Sequence, residues 1–326
     1  MNAWGGPLLA VRDLKVRFHT PRGHFAAVDG VSFDLASGET LGLVGESGCG
    51  KTVTALAVLG LLPPHLSEVS GAVNFAGEDL IKAPLPRLRQ IRGNRIAMVF
   101  QEPMTALNPV LTIGEQVAEV LRLHRGLSYL QAWREAAHAL TRVGLPEASR
   151  RLKQYPHQLS GGLRQRSLMA MALACKPEIL IADEPTTALD VTIQAQILAL
   201  LARLKEETGM SVLFITHNLG IVAQTADQVA VMYAGALVEQ APRRELFKNP
   251  LHPYTKGLLA AVPRLDFHQP PGARLATIPG QVPGNHEPPR ECLFKARCPE
   301  ARAVCEERPP AVEVSPGHMV RCWNYD

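Results

Sequence analysis

The amino-acid sequence predicts an α/β fold with a largely parallel sheet, and three observations support this. Short apolar runs alternate along the chain with segments of helical spacing, an order that favours a parallel sheet. Several of these runs are apolar at almost every position, which is typical of strands in a sheet covered on both faces. A glycine-rich stretch, GESGCGKT at 45–52, joins one such run to a helical segment.

The predicted elements follow in chain order. Residues 8–18 and 26–35 show the partial alternation of antiparallel strands. Buried strands are predicted at 41–44, 96–100, 178–182 and 211–216. Residues 109–160 show helical spacing and no strand pattern, which predicts a helical subdomain inserted into the α/β core.

The composition changes past residue 262, where proline and glycine become frequent. These residues interrupt regular structure, so an irregular extension is predicted there. We therefore predict one domain over 1–262, with a helical subdomain over about 109–160, and an extension with four cysteines over 263–326.

Length and charge limit the classes of function. The chain has 326 residues, enough for a full hydrophobic core, and its net charge of +4 does not favour a nucleic-acid partner. The N-terminus lacks the pattern of a signal peptide. The longest apolar run, at 55–62, is much shorter than the roughly 20 residues that cross a bilayer. We expect a chain without a membrane span that can still dock on a membrane protein.

The stretch at 45–52 fits the pattern G-x-x-x-x-G-K-[ST] between a strand and a helix. In this pattern the loop amides surround phosphates, Lys51 reaches the outer phosphates and the Thr52 hydroxyl can ligate Mg²⁺. The alternative is a glycine-rich turn with a chance lysine, which the flanking pattern disfavours.

Polar residues at the ends of three predicted strands complete such a site. Asp183 ends a buried strand, where its carboxylate can serve Mg²⁺, and Glu184 can act as general base. Gln101 can reach the metal or water, and His217 can lie beside the γ-phosphate. Each of these residues alone is more often structural than catalytic.

Besides the loop at 45–52, a second candidate anion-binding loop lies far downstream, at LSGGLRQR (159–166). A serine and two glycines before a helical run would present backbone N–H groups at a helix N-terminus. One chain therefore carries two candidate anion-binding loops, at 45–52 and at 159–166.

With these motifs together, the chain resembles the ATP-binding subunits of ABC transporters. The resemblance rests on GESGCGKT, VFQEP (99–103), LSGGLRQR, ILIADEP (179–185), ALD (188–190) and His217. It implies an ABC-type P-loop domain with an antiparallel β subdomain, and ATP hydrolysis in a dimer. In that family the signature motif, here LSGGLRQR, of one subunit closes over the ATP held by the other subunit. This arrangement explains the second anion-binding loop.

The resemblance also implies roles for individual residues. The residues implied to bind ATP are Phe18, Gly45, Ser47, Gly48, Cys49, Gly50, Lys51 and Thr52, with Phe25 as the alternative to Phe18 for stacking on adenine. Those implied to bind Mg²⁺ are Thr52, Gln101 and Asp183, and those implied to act in catalysis are Glu184, His217 and Gln101. Those implied to contact the partner's ATP are Ser160, Gly161, Gly162 and Gln165, with Asp190 in the D-loop. Asn218 stands where the family more often has aspartate, which we expect to loosen local hydrogen bonding.

A closer resemblance is to the oligopeptide/dipeptide importer branch, carried by QEPMTALNP (101–109), YPHQLSGG (155–162), NPLHPYTKGLLAAVP (249–263) and IPGQVPG (278–284). It implies ATP-powered peptide import at the cytoplasmic face of the inner membrane. The implied partners are two permease subunits, a second ATPase that is non-identical, and indirectly a solute-binding protein. Nickel or a sugar as cargo, and a soluble ABC ATPase acting on DNA or ribosomes, are the alternatives.

Four cysteines crowd into the extension with the spacing C-x5-C-x6-C-x16-C: Cys292, Cys298, Cys305 and Cys322. A reducing cytosol disfavours disulfides, so a [4Fe–4S] cluster, Zn²⁺ or unligated thiols remain open. Zinc sites more often contain close cysteine pairs, which are absent here. Members of this branch with a similar tail carry a [4Fe–4S] cluster, so the resemblance implies one here.

Overall fold

The computed structural model describes residues 6–21, 23–187, 189–262, 277–284 and 290–326. Its strands are β1 (Leu9–Thr20), β2 (Gly23–Leu35), β3 (Thr40–Val44), β4 (Ser67–Phe75), β5 (Glu78–Asp79), β6 (Ile96–Val99), β7 (Ile179–Asp183), β8 (Ser211–Thr216), β9 (Gln228–Tyr233), β10 (Ala236–Pro242), β11 (Val312–Ser315) and β12 (His318–Val320). Its helices are α1 (Lys51–Val58), α2 (Leu85–Ile91), α3 (Pro103–Ala106), α4 (Ile113–Arg125), α5 (Tyr129–Arg142), α6 (Ala148–Arg151), α7 (Gly161–Leu173), α8 (Val191–Thr208), α9 (Leu219–Thr225), α10 (Arg243–Lys248) and α11 (Pro253–Ala260). Short 3-10 turns lie at Pro156–Gln158, Lys295–Arg297 and Ala303–Glu306.

The predicted α/β fold class is confirmed by these elements. Each predicted strand is present, with ends that differ by at most three residues from the prediction. Strands β4, β5, β9, β10, β11 and β12 were not predicted. The chain divides into two compact units: unit one is Met1–Leu35, Thr40–Lys82 and Ile215–Asp326, and unit two is Ala36–Glu39 and Ala83–Phe214.

Unit one contains an antiparallel sheet in the order β2-β1-β4-β5. The β1 residues Leu9, Val11, Leu14 and Val16 are fully buried, so the two-residue alternation slips by one between Val11 and Leu14. A shift in strand register marks the same position, where Asp13 has a φ of 45°. This β-bulge explains why the sequence alternates only in part.

A second group of strands in unit one runs in the order β11-β12-β10-β9-β3. Strands β3 and β9 are parallel, whereas β9, β10, β12 and β11 pair antiparallel. Every residue of β3 is buried, as its continuous apolar pattern predicts. The glycine-rich stretch at 45–52 follows directly at the carboxyl end of β3.

Unit two contains the parallel pair β6 and β7, both fully buried. Helix α4 begins with a capping box between Thr112 and Glu115, and α5 begins with one between Ser128 and Gln131. A Cβ atom at Gly114 would lie 2.7 Å from the Trp133 ring, so the glycine permits close packing of the two helices. Helices α4, α5 and α6 all lie within 109–160, and the described residues of that stretch form no strand.

The C-terminal region is irregular over most of its described length, but its last residues form β11 and β12. Strand β12 pairs with β10 through Glu239 and Val320. The hairpin was not predicted because each strand is too short for a clear pattern. Residues 263–276 and 285–289, including the predicted domain boundary, lie outside the described residues. In the described part, none of the helices has the length and apolar character that crossing a bilayer demands.

Candidate functional site

The glycine-rich loop of unit one forms a tight cradle between β3 and α1. A Cβ atom at Gly45 would overlap the carbonyl oxygen of Met232, and one at Gly50, where φ is 102°, would overlap that of Ala27. Only glycine fits both places. A Cβ atom at Gly48 would meet nothing within 4 Å, so the outer edge of the loop is open. The loop therefore has a form that suits a phosphate cradle, and phosphate binding by its residues stays a prediction.

Lys51 lies across this loop. Its Nζ donates to the carbonyl oxygens of Gly45 and Glu46, at 2.8 and 3.0 Å, and its side chain is buried. Ser47 and Thr52 are exposed, whereas Cys49 is fully buried. Burial raises the pKa of the Cys49 thiol, and the Cys49 backbone N–H donates to the carbonyl oxygen of Glu46 at 3.3 Å. The loop residues fit a nucleotide phosphate chain.

Unit two brings Glu184 and Gln101 together. Asp183 ends β7 and is 1% exposed, and Glu184 follows it. Gln101 Nε2 donates to Glu184 Oε2 at 3.1 Å, and Thr187 Oγ1 donates to the same oxygen at 2.9 Å. The carboxylate of the predicted base is thus held by two hydrogen bonds. Thr187 was not predicted, although its place three residues after Glu184 was a signal that could have found it.

The signature motif lies at the start of α7 in unit two. Ser160 caps this helix, since its Oγ accepts the N–H of Leu163. Asp190 caps α8 in the same way by accepting the N–H of Ile193 at 2.9 Å. Ser160, Gly161, Gly162 and Asp190 all line one open cavity of about 590 Å³. Ala188, the first residue of the predicted D-loop motif, lies outside the described residues.

Gln165 differs from the other signature residues because its side chain is buried. The residue is 2% exposed, and its Nε2 atom has no hydrogen-bond partner among the described residues. Contact between Gln165 and a partner's ATP stays a prediction, and it requires this side chain to become accessible.

His217 and Asn218 connect β8 to α9 in unit one, and both are exposed. Asn218 caps α9: its Oδ1 accepts the N–H of Gly220 at 2.9 Å, and its own N–H donates to Thr216 Oγ1 at 3.0 Å. The expected loosening at Asn218 is wrong, because an asparagine oxygen caps a helix as well as an aspartate oxygen does.

The two candidates for adenine stacking are cross-strand neighbours. Phe18 of β1 faces Phe25 of β2 in the strand register, and both are half-buried. The structure brings the two alternatives to one place in the antiparallel sheet.

The four cysteines of the C-terminal region line one small cavity of about 20 Å³. Burial raises the pKa of the Cys292, Cys298 and Cys322 thiols. The described residues contain no group of three or more histidine, cysteine or acidic side chains arranged to hold a metal ion. The predicted [4Fe–4S] cluster, with Cys292, Cys298, Cys305 and Cys322 as ligands, is therefore wrong, and Zn²⁺ has no support either. The described cysteines are free.

Unit one also contains contacts to the glycine-rich loop at 45–52 that were not predicted. Arg297 pairs with Glu46, and the N–H of Glu46 donates to the hydroxyl of Tyr254. Tyr254 lies in NPLHPYTKGLLAAVP (249–263), a stretch that in the sequence supports only the resemblance to the importer branch. No pattern in the sequence pairs Glu46 with Arg297.

Comparisons with known proteins agree with this description. The family model for "ABC transporter" matches residues 28–187, and that for "Oligopeptide/dipeptide transporter, C-terminal region" matches residues 238–305. The dipeptide transport ATP-binding protein DppD of Bacillus subtilis is 52% identical over 98% of this chain and 95% of its own. The oligopeptide transport ATP-binding protein OppD of Salmonella typhimurium is 49% identical over 97% of this chain and 93% of its own.

The fold also matches a solved structure. The ATP-binding cassette MJ0796, solved as a dimer in a post-hydrolysis state bound to ADP and Pi, aligns with a TM-score of 0.65 and 28% identity. The alignment covers 72% of this chain and 99% of that chain. The relatives confirm the predicted ABC-type ATPase with ATP as its nucleotide. The chain belongs to the family of ATP-binding proteins of peptide ABC transporters.

Proposed function

We propose that this chain hydrolyses ATP to power the import of dipeptides or oligopeptides through a membrane ABC transporter. The observation that carries the proposal is Glu184, held by Gln101 and Thr187 at the end of β7. Peptide cargo is supported by the match to the oligopeptide/dipeptide transporter C-terminal region and by the relatives named for peptide transport.

Lys51 and the amides of the 45–52 loop bind the phosphates of ATP. Thr52, Asp183 and Gln101 would hold Mg²⁺, which supplies positive charge against the phosphates when bound. Glu184 accepts a proton from water as the water oxygen attacks the γ-phosphorus, and ADP leaves with the electrons of the broken P–O bond. His217 orients the γ-phosphate and the attacking water, and Phe18 or Phe25 stacks on adenine.

The chain works in an ATP-sandwich dimer. Ser160, Gly161 and Gly162 contact the γ-phosphate held by the partner, and Asp190 lies at the same interface. The dimeric state of the cassette MJ0796 supports this arrangement. ATP binding closes the dimer and hydrolysis reopens it, which changes the conformation of the permease. The partner is a non-identical sister ATPase.

The two ATPases lie at the cytoplasmic face of the inner membrane, bound to two permease subunits that receive cargo from a solute-binding protein. Residues 1–262 form the ATPase domain, with a helical subdomain over 109–160 that receives a permease. Residues 263–326 form the C-terminal extension. The oligopeptide/dipeptide match begins earlier, at residue 238.

The variant Glu184→Gln tests the chemistry. It keeps the size of the side chain and one oxygen that can accept from Gln101 and Thr187, but it cannot accept the proton, so we expect ATP to bind normally while turnover falls by roughly 100-fold or more. The matched control is Glu178→Gln, because Glu178 pairs with Arg95 beside the same strand and should keep its turnover. Full turnover in Glu184→Gln would remove this residue from the role of base.

The assembly is tested by purifying tagged Glu184→Gln chain from detergent-solubilised membranes with ATP and Mg²⁺. We expect two permeases and a second, different ATPase in the eluate. Recovery of ribosomes or DNA-bound factors without any membrane protein would contradict the transporter role.

A further inference from the structure

A bidentate ion pair joins the phosphate-binding loop to the C-terminal region. Arg297 donates from Nη1 and Nη2 to the two carboxylate oxygens of Glu46, at 2.7 and 3.0 Å. The Arg297 side chain is 5% exposed and that of Glu46 is 31% exposed. Two parallel hydrogen bonds determine orientation as well as distance. The Glu46 side chain therefore cannot turn without breaking a largely buried pair.

The guanidinium of Arg297 is itself held from several sides. Its Nε donates to the carbonyl oxygen of Pro279 at 2.8 Å, and Nη2 lies 3.3 Å from that of Ile278. Nη1 donates to the Tyr233 hydroxyl at 3.4 Å. Ile278 and Pro279 belong to the IPGQVPG motif, so this motif supplies acceptors that hold the arginine in place.

Tyr254 holds the backbone of the same loop residue. Its hydroxyl accepts the N–H of Glu46 at 3.0 Å, and the residue is fully buried. Its ring lies 4.6 Å from the ring of Tyr233 and 5.4 Å from that of Phe294, between centroids. Aromatic packing fixes the position of the hydroxyl. Both the side chain and the N–H of Glu46 are thus held by residues outside the matched ABC transporter segment, 28–187.

Glu46 is also in contact with Lys51, whose Nζ donates to the Glu46 carbonyl oxygen at 3.0 Å. A shift of Glu46 would therefore move an acceptor of the lysine that reaches the phosphates. We infer that Arg297 and Tyr254 position the phosphate-binding loop through Glu46, so that the C-terminal region sets the affinity of the chain for ATP. This inference rests on the ATP site proposed above. Arg297 and Tyr254 are positioning residues that act through Glu46.

The test measures ATP affinity and turnover separately, with the full-length chain in the assembled transporter. We expect Arg297→Gln to raise the Kd and KM for ATP by roughly tenfold, about the effect of weakening one hydrogen bond to the bound nucleotide, with kcat at saturating ATP within about twofold of wild type. Arg297→Lys should raise the Kd and KM for ATP by a smaller factor, because lysine keeps the positive charge but lacks the two parallel N–H donors of the guanidinium. Tyr254→Phe should also raise KM, since it leaves the N–H of Glu46 without its acceptor.

A double-mutant cycle tests whether Arg297 acts on the loop through Glu46. Because Arg297 acts through Glu46, the variant combining Arg297→Gln with Glu46→Gln should raise KM no further than either single change. Arg308→Gln is the matched control, since Arg308 pairs with Asp29 of β2 and belongs to the same C-terminal region. It should keep the wild-type KM.

A purely structural role for Arg297 predicts a different result. Arg297→Gln and Arg308→Gln would then both lower the thermal midpoint while the KM for ATP stayed at the wild-type value, and this would overturn the inference. If Arg297→Gln does not fold, the KM values of Arg297→Lys and Tyr254→Phe decide in the same way.

Lys51→Ala separates this inference from the proposed site. Loss of ATP binding in Lys51→Ala together with a wild-type KM in Arg297→Gln would reject only the role of Arg297. Wild-type ATP affinity in Lys51→Ala would reject the proposed ATP site and the inference with it.

Discussion

Glu184 has a backbone conformation that is uncommon for a non-glycine residue. Its φ of 45° lies in the left-handed region, which costs roughly 1–2 kcal/mol for a residue with a Cβ atom. Such a conformation persists only where surrounding contacts hold it. The bonds from Gln101 and Thr187 to Oε2 are two such contacts, and they orient the carboxylate of the proposed base.

Thr187→Val tests this orientation. The change removes the hydroxyl that donates to Glu184 Oε2 at 2.9 Å and keeps the shape of the side chain. A hydrogen bond to a charged group contributes about 1.5–3 kcal/mol, so kcat should fall roughly tenfold, while the KM for ATP stays unchanged. Steady-state ATPase assays measure both values. Thr187→Ser restores the hydroxyl and should restore turnover; a wild-type kcat in Thr187→Val would mean that Thr187 does not orient the base.

Helix α11 begins at a buried histidine. His252 Nδ1 accepts the N–H of Tyr254 at 3.0 Å and thereby caps the helix. Burial lowers the pKa of His252 to about 3, so the imidazole is neutral in the folded chain at physiological pH. The cap requires this neutral form, because a protonated Nδ1 cannot accept a hydrogen bond.

The stability of this element should therefore depend on pH. The pKa of His252 is lowered on folding from 6.5 to about 3, so below pH 6.5 the unfolded chain binds the extra proton first. The contribution of His252 is complete above pH 6.5 and is lost as the pH falls towards 3, by at most about 1.4 kcal/mol per pH unit.

The variant His252→Asn isolates this effect. Asparagine can cap the helix with Oδ1 but does not titrate, so the free energy of unfolding should fall less steeply between pH 6.5 and 4 than in wild type. Urea unfolding at a series of pH values measures both slopes. Equal slopes would show that His252 does not contribute to the pH dependence.

At the scale of the whole molecule, one buried carboxylate joins three distant segments of the chain. Glu239 on β10 is 1% exposed and accepts the N–H groups of Leu251 and His252 at 2.8 and 2.9 Å. Its Oε1 also lies 2.8 Å from Nε2 of His318 on β12. These contacts attach both the start of α11 and the C-terminal hairpin to β10.

Glu239→Gln should loosen all three segments. The amide offers one acceptor oxygen in place of two, so a buried N–H loses its partner, and we expect a loss of roughly 2–4 kcal/mol in the free energy of unfolding. Urea unfolding measures the loss, and limited proteolysis should show faster cleavage near β12. The control Glu68→Gln changes an exposed residue of β4. It should leave the free energy of unfolding and the rate of cleavage near β12 unaltered. Wild-type stability in Glu239→Gln would mean that this carboxylate does not hold the segments together.

Prediction from the sequence succeeded where the interactions are local. The loop at 45–52 contains its glycines, lysine and threonine within eight residues, and the flanking strand and helix follow from local periodicity. It failed for the cysteines, because spacing along the chain does not report whether the folded side chains are arranged to hold a metal ion, and among the described residues no such group is present. It also missed the hairpin of β11 and β12, whose strands of four and three residues carry too little pattern.

The sequence by itself determined the α/β class and the positions of the glycine-rich loop, the acidic pair at 183–184 and the LSGGLRQR motif, since each depends on residues that are neighbours in the chain. Only the tertiary structure decided which residues hold these groups. Arg297 reaches Glu46 across 251 positions, and Tyr254 reaches it across 208. Such pairs form when the packing of distant elements buries charged and polar groups that must then find partners. No local pattern records which partner each will find.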